Sequence, residues 1–352
     1  MITAHSGGHD GDGRGGRRPT MEDVAERAGV SRSLVSLVLR DSPKVSRDKR
    51  EAVLRAVTEL NYRTNSAARS LAERRSRAVG VLLNDLHQPW FADMLGGLTP
   101  PLHARGQRLL LGDGQLNRLT DEALTATFLE MGIDGLVLAG TMPQSPNITK
   151  MAGEVPTVVV GSRDMDAPCV DTVANDDTAG GALATRHLIE LGHTRIAHIS
   201  APTGAVGTLR QQAYENEMRA HGLGAHIAVE PADLTEETGY RAALRLLSRT
   251  EPPTAIFAAN DLSCMGALAA AAELGIAVPD RLSLVGYDNS HLAKLRTICL
   301  TSVDGAAVEV GRQAAEALLA RIEEPARPAT TRLITPALQV RGSTAPPPSG
   351  RG

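Results

Sequence analysis

Ser31, Arg32, Ser33 and Ser36 set four hydrogen-bonding side chains along a short apolar-periodic run, SRSLVSLVLR. Held at the start of a helix against duplex DNA, such groups have definite chemistry. An arginine can bridge guanine O6 and N7, and a serine hydroxyl can meet a base edge or a phosphate oxygen. The surrounding residues, TMEDVAERAGVSRSLVSLVLR at 20–40, supply the scaffold. Val24, Ala28, Val30, Val35 and Val38 fall at inward-facing positions, and Ala25 falls where two helices must approach closely. Gly29 follows four residues later at the turn, where glycine tolerates a positive φ. Thr20 can cap the first helix and Ser31 the second. Two short helices joined by a tight glycine turn form a helix-turn-helix, whose second helix, about 32–39, enters a major groove. Thr20, Ser31, Ser36 and Ser46 suit phosphate contacts that fix register, while Arg32 suits either guanine or phosphate.

A third helix is expected after Ser46, where Val53, Leu54, Val57 and Leu60 recur at helical spacing up to Tyr62. The helix-turn-helix domain therefore spans 19–63, behind a Gly-, Arg-, His- and Asp-rich arm at 1–18 that reads as disordered. The arm's GDGRGG matches a dinucleotide fingerprint only formally, since no strand precedes it. Residues 64–77 form an alanine-rich linker with Leu71 as its one large apolar side chain.

From residue 78 the texture changes. AVGVLLNDL, QRLLLGD, IDGLVLAG, PTVVVGS, RIAHIS, PTAIFAAND and LSLVGYDN are short apolar runs alternating with helix-like stretches. That alternation predicts an α/β core over 78–342, with two successive doubly wound parallel-sheet subdomains and a loose tail at 343–352. Ligands of open parallel sheets bind beyond the carboxyl ends of the strands. Asn84-Asp85, Gly161-Ser162-Arg163, Asn260-Asp261 and Asp288-Asn289 all lie at such ends. Trp90, the only tryptophan, and Phe91 follow the first strand. Trp90 can stack on a sugar or base, or cap the interface between subdomains.

Composition sets limits on function. The net charge of −3 over 352 residues hides an asymmetry: residues 1–78 hold 16 Lys+Arg against 10 Asp+Glu, and the remainder 21 against 30. A basic head on an acidic body points to a polyanion at the head alone. Cys169, Cys264 and Cys299 are far apart and form no CxxC or Cys/His cluster, so neither a disulfide framework nor a metal site is indicated. No run reaches the length of a membrane span, and the N-terminus does not read as a secretory signal, so a cytoplasmic setting is expected. No strand-anchored GxGxxG, HExxH, GxSxG or nucleophile–base pair marks an enzyme, and no cofactor is expected.

The runs DVAERAGVS, VSRDKREAVLRAVTELNY, N-SAARSLA, GHTRIAHI, PTAIFAANDLSCMGAL and VPDRLSLVGYDN occur in one order. With them the chain resembles the lactose-repressor (LacI/GalR) family of bacterial regulators from about Pro19 to about Gly342. The resemblance implies an all-α three-helix head, a hinge helix and a periplasmic-binding-protein-like core. It also implies a homodimer on a palindromic operator in double-stranded DNA, and a small-molecule effector, here a sugar or polyol by the polar residues present. It places Arg32 and Ser33 at base-contacting positions, and Asn65, Ala68 and Leu71 in the hinge, where Leu71 would wedge into the minor groove and kink the duplex. Leu37 replaces a common arginine and can touch only a thymine methyl or pack. Arg40 replaces a frequent asparagine and Thr64 a frequent proline.

In the core the resemblance carries ligand roles to Arg210, Asp288, Asn260 and Asp261, with Asn84, Arg163 and Asn175 as further pocket candidates. A surface ion pair for Arg210 and a tight turn for GYDN are the plainer readings. The helix at about 304–324 would join subunits through Val310, Ala314, Ala317, Leu318 and Ile322, or bury that face in its own subdomain. A solute-binding protein of a transport system fits the core alone; the attached head favours a ligand-controlled regulator.

Overall fold

The computed structural model describes residues 19–39, 42–62, 76–114, 121–140, 145–163 and 169–348. The arm, Arg40, Thr64, Asn65, Ala68 and Leu71 lie outside the described residues. The chain divides into two compact units that part between Ser76 and Arg77.

The first unit holds α1 (Met21–Ala28), α2 (Arg32–Leu39) and α3 (Arg47–Glu59). Thr20 and Asp23 form a capping box. The Thr20 hydroxyl accepts from the Asp23 N–H at 3.3 Å, and the Asp23 carboxylate accepts from the Thr20 N–H at 2.6 Å. This satisfies backbone donors that a helix start leaves open. Gly29 ends α1 at φ 66°. Ser31 starts α2, its hydroxyl accepting from the Leu34 N–H at 3.3 Å. Val24, Val35 and Val53 are fully buried, ringed by Ala25, Val38, Ala56 and Tyr62, with Ala28 and Val30 half-buried at the edge. Leu54 is a correction: it is 47% exposed. It lies about 100° round the helix from Val53, off the face that Val53, Ala56 and Leu60 share.

The second unit contains two six-stranded sheets. The first lobe begins with β1 (Ala78–Leu83), α4 (Pro89–Ala104), β2 (Arg108–Asp113), α5 (Asp121–Glu130), β3 (Gly135–Ala139), α6 (Pro146–Glu154), β4 (Thr157–Val160) and β5 (Asp171–Asn175). The second lobe follows with α7 (Asp177–Glu190), β6 (Ile196–Ser200), α8 (Gly204–Ala220), β7 (Ala228–Pro231), α9 (Glu236–Leu247), β8 (Ala255–Ala258), α10 (Asp261–Glu273), β9 (Ser283–Tyr287) and β10 (Thr301–Asp304). The chain then returns to the first lobe with α11 (Ala307–Glu323) and β11 (Thr331–Ile334), and goes back to the second with β12 (Ala337–Gln339). The tail expected to be loose from 343 is packed at its start: Ser343 is buried and its hydroxyl donates to the Leu284 carbonyl at 2.6 Å, while the Ala345 N–H donates to the Ser283 hydroxyl at 3.0 Å.

The sheet orders are β11-β5-β4-β3-β1-β2 and β12-β10-β9-β8-β6-β7. The first sheet is parallel throughout, and in the second only β12 runs antiparallel, against β10. Apolar clusters cover both faces of each sheet, which is why the central strands are continuous hydrophobic runs.

The subdomains are therefore not successive. The chain crosses between lobes three times, at 175–177, 304–307 and 334–337. Helix α11 packs on α4 and on β3, β4 and β5, with Val310, Ala314, Ala317 and Leu318 fully buried and Ile322 partly buried. That face fills its own lobe and is not open to a second subunit. Glycine makes the fit possible. A Cβ on Gly97 of α4 would lie 1.8 Å from the Val308 carbonyl oxygen, and one on Gly311 of α11 would lie 2.0 Å from that of Met94. Gly97→Ala is expected to lower unfolding stability by about 1–3 kcal/mol, the usual cost of overpacking. Gly153→Ala, on a helix with nothing within 4 Å, is expected to raise it by about 0.5–1 kcal/mol. Urea unfolding of the two variants checks the contrast.

Candidate functional site

On α2, Arg32, Ser33 and Leu37 are exposed, Ser36 is half-buried, and Leu37 is 37% accessible. The Ser33 and Ser31 hydroxyls lie 2.9 Å apart. Ser31 thus serves the helix start first. Thr20 is likewise committed, since its hydroxyl also donates to Asp23 at 2.7 Å. Ser46 sits at the N-cap position of α3, exposed, with no side-chain cap bond. Arg32, Ser33, Leu37 and Ser46 are therefore the sequence-predicted DNA residues left most open by the head's own packing.

In the core, seven of the nine predicted effector residues line one cleft: Asn84, Trp90, Phe91, Asn175, Arg210, Asn260 and Asp288. Every wall is a strand end or the helix that follows it. Asn84 comes directly after β1, and its Oδ1 is buried without a hydrogen-bond partner. Trp90 and Phe91 open α4, with their rings edge to face at 5.2 Å. Trp90 lies on Gly161 after β4, where a Cβ would come within 2.5 Å of the indole. Gly161 takes φ 74° there, so the site excludes a side chain on two counts.

Arg210 on α8 holds the second lobe's share of the cleft together. Its Nε donates to Asp177 Oδ1 at 2.8 Å and its Nη1 to the Ala259 carbonyl at 2.5 Å. Nη1 also lies 3.7 Å from Asp288 Oδ1, and the guanidinium stacks 3.5 Å above the Tyr287 ring. Burial works against the charge, but Asp177, Tyr287 and Asp288 together hold the guanidinium more firmly protonated than usual. The surface ion pair is thus corrected to a buried one. Asn175 donates to Asp177 Oδ1 at 2.8 Å and to the Tyr287 hydroxyl at 3.1 Å, tying the first crossover to this cluster.

Asp288 has φ 99° and Asn289 φ 48°, a conformation that non-glycine residues adopt where the surroundings impose it. Burial pushes the Asp288 carboxyl up to about 8 against the pull of Arg210, with Asp261, Asp177 and Asp93 pushing it further.

Two predicted residues do not reach the cleft. Arg163 is exposed on the loop after β4 and is absent from the lining. Asp261 points inward from the first turn of α10, accepting from the Ser302 hydroxyl at 2.6 Å and the Ser290 N–H at 2.8 Å. It braces the loop that carries Asp288. Sequence reasoning missed Gln88, Gly140, Thr203, Val206 and Leu234, which also line the cleft. The glycine after β3 was a signal at hand, being the same strand–glycine pattern as Gly161.

A helix-turn-helix head and a two-lobed, parallel-sheet body with a polar cleft at the strand ends define a DNA-binding regulator with a ligand-binding core. Residues 20–65 match the model of bacterial regulatory proteins of the lacI family, and residues 185–344 that of a periplasmic binding protein-like domain. The HTH-type transcriptional repressor PurR of Proteus mirabilis is 33% identical over 337 residues, 94% of this chain and 98% of that protein. The solved complex of the transcriptional regulator CelR with cellobiose is similar at TM-score 0.68 and 33% identity, covering 93% of this chain and all of that one. The lac repressor dimer bound to operator and the anti-inducer ONPF is similar at TM-score 0.82 and 25% identity, covering 94% and 100%. The chain belongs to the lacI family of bacterial regulatory proteins. Its function is regulatory rather than catalytic.

A pH signature follows from Asp288. The folded protein holds this proton up to about 8, whereas the unfolded carboxyl releases it near 3.8. Its contribution to stability is therefore complete below the unfolded value and is lost as pH rises through the folded one. His187, His193 and His198 are held below 6.5 chiefly by burial and act in the opposite sense, but only below that pH. Between about pH 6.5 and 8.5, wild type is expected to lose up to about 1.4 kcal/mol per pH unit relative to Asp288→Asn. Urea unfolding across that range measures the difference, and parallel profiles would remove Asp288 as its source.

Proposed function

We propose that this regulator is a repressor that binds a palindromic operator as a homodimer and changes its grip when a neutral, hydroxyl-rich effector, a sugar or related polyol, occupies the cleft. Arg32, Ser33 and Leu37 face base edges, and Ser46 with Ser31, Ser36 and Thr20 lies toward the backbone. Leu71, which follows Asn65 and Ala68 in the linker, enters the minor groove at the operator centre. The protein acts in the cytoplasm, where its DNA lies.

The carrying observation is the electrostatic balance of the cleft. Arg210 is already met by the Asp177 carboxylate, so a ligand carboxylate or phosphate would add an unmatched charge in a desolvated place. Asn84 Oδ1 needs a donor, and the Trp90 and Phe91 rings offer the apolar wall on which a sugar ring stacks. Hydroxyls donate and accept, and so suit this set. The cellobiose held by the related CelR and the operator and dimer of the related lac repressor support the same reading.

Selection of bound fragments from genomic DNA yields the operator. Titrating that complex with neutral sugars and polyols, carboxylates, phosphates and nucleobases then tests the effector. A neutral polyol is expected to change operator affinity and Trp90 emission over one concentration range. A response to anions or nucleobases alone would refute the effector class. Affinity for the operator is expected to fall steeply with salt. Leu71→Ala is expected to weaken operator binding far more than binding to random competitor DNA, because only the kinked site exploits the wedge; equal losses would make the segment a plain linker.

A further inference from the structure

Gln88 lies at the rim of the cleft, at the N-cap position of α4. Its side chain leaves its own lobe. Nε2 donates to the Leu234 carbonyl of the second lobe at 2.8 Å, and Oε1 accepts from Asn260 Nδ2 at 3.1 Å. Asn260 Nδ2 also donates to the Leu234 carbonyl at 3.1 Å, closing a three-membered network. Both sides of this contact are braced. On the first lobe, Asp85 Oδ2 accepts from Gln88 Nε2 at 3.4 Å and Asp85 Oδ1 accepts from the His87 N–H at 2.9 Å. Asp113 accepts from the Leu86 N–H at 3.1 Å. On the second lobe, Asn260 Oδ1 caps α10 by accepting from the Ser263 N–H at 2.9 Å. The residue before Leu234 is pinned by the Ser263 and Thr238 hydroxyls, each donating to the Asp233 carbonyl at 3.1 Å.

We infer that Gln88 is a cross-cleft latch that sets the open–closed equilibrium of the two lobes through protein contacts alone. The three crossover segments form the hinge, and the Gln88 network lies where the rims meet. Each lobe presents its latch group from a rigid helix start, so forming the bonds orders little else. A hydrogen bond made only in the closed state shifts a two-state equilibrium by about threefold to tenfold. An effector then acts on a core already biased toward closure, and the residue at position 88 tunes that bias even when the cleft is empty.

The full-length protein tests this with neither effector nor DNA, so the outcome is independent of the effector proposed above. Gln88→Met keeps the volume beside Trp90 and removes both cross-cleft bonds. Asn260→Asp keeps the cap of α10 and removes the donor. Acrylamide quenching of Trp90, the only tryptophan, and the radius of gyration from X-ray scattering are the readouts. Both variants are expected to raise both quantities, and the double variant is expected to match Gln88→Met, because the two changes break one network. Unchanged quenching in Gln88→Met, a rise in quenching at constant radius of gyration, or additive effects in the double variant would each overturn the latch.

Discussion

The buried pairing of Arg210 with Asp177 is the interaction on which the cleft depends. The two side chains are 5% and 3% exposed, and in that position neither charge is stable without the other. Each partner comes from a different part of the architecture. Arg210 sits on the second helix of the second lobe. Asp177 is the first residue of α7, immediately after the chain crosses from the first lobe. Tyr287 stacks beneath the guanidinium and receives Asn175 at its hydroxyl, and Asp288 follows at a strained backbone position. One cation thereby fixes the crossover, the cleft floor and a carboxyl with a displaced affinity for protons. The same pairing leaves the second lobe's face of the cleft electrically balanced.

Regulation then reduces to linkage between the lobes and the head. A ligand moves the lobe equilibrium only by binding one arrangement more tightly than the other. The lobes are interleaved by three crossovers, so the connection between them is spread over three segments of chain rather than one flexible linker. Residues at the rims act on that equilibrium as surely as residues that touch ligand. The helix-turn-helix carries the other half of the linkage, with Arg32 and Ser33 exposed at the start of α2, Leu37 in its second turn and Ser46 ahead of α3.

Much of this was legible in the sequence, for identifiable reasons. Seven strands show as apolar runs, six of them central and the seventh the edge strand β2, because both faces of each sheet are covered. β5, β7, β10, β11 and β12 do not, since runs such as DTVAN, TSVD and AVEP carry polar residues or lie at sheet edges. The interleaving was invisible because the alanine-rich face of α11 fits a helix of either lobe or of a partner; only the glycine pair Gly97 and Gly311 decides it, and that pairing is long-range. Seven cleft residues were legible because strand ends in parallel sheets converge. Asp261 was misplaced because Asn260 and Asp261 are equivalent in sequence, whereas the first turn of α10 sends the second carboxylate inward to Ser302 and Ser290. Gln88 carried no signal at all, as an ordinary polar residue in a loop whose partners lie 146 and 172 positions away.

The most direct test of the central pairing is the unfolding free energy of Arg210→Met, measured by urea denaturation near pH 7. Leaving Asp177 buried and uncompensated is expected to cost about 3–5 kcal/mol. A loss below about 1 kcal/mol would show that the cluster does not organise the cleft.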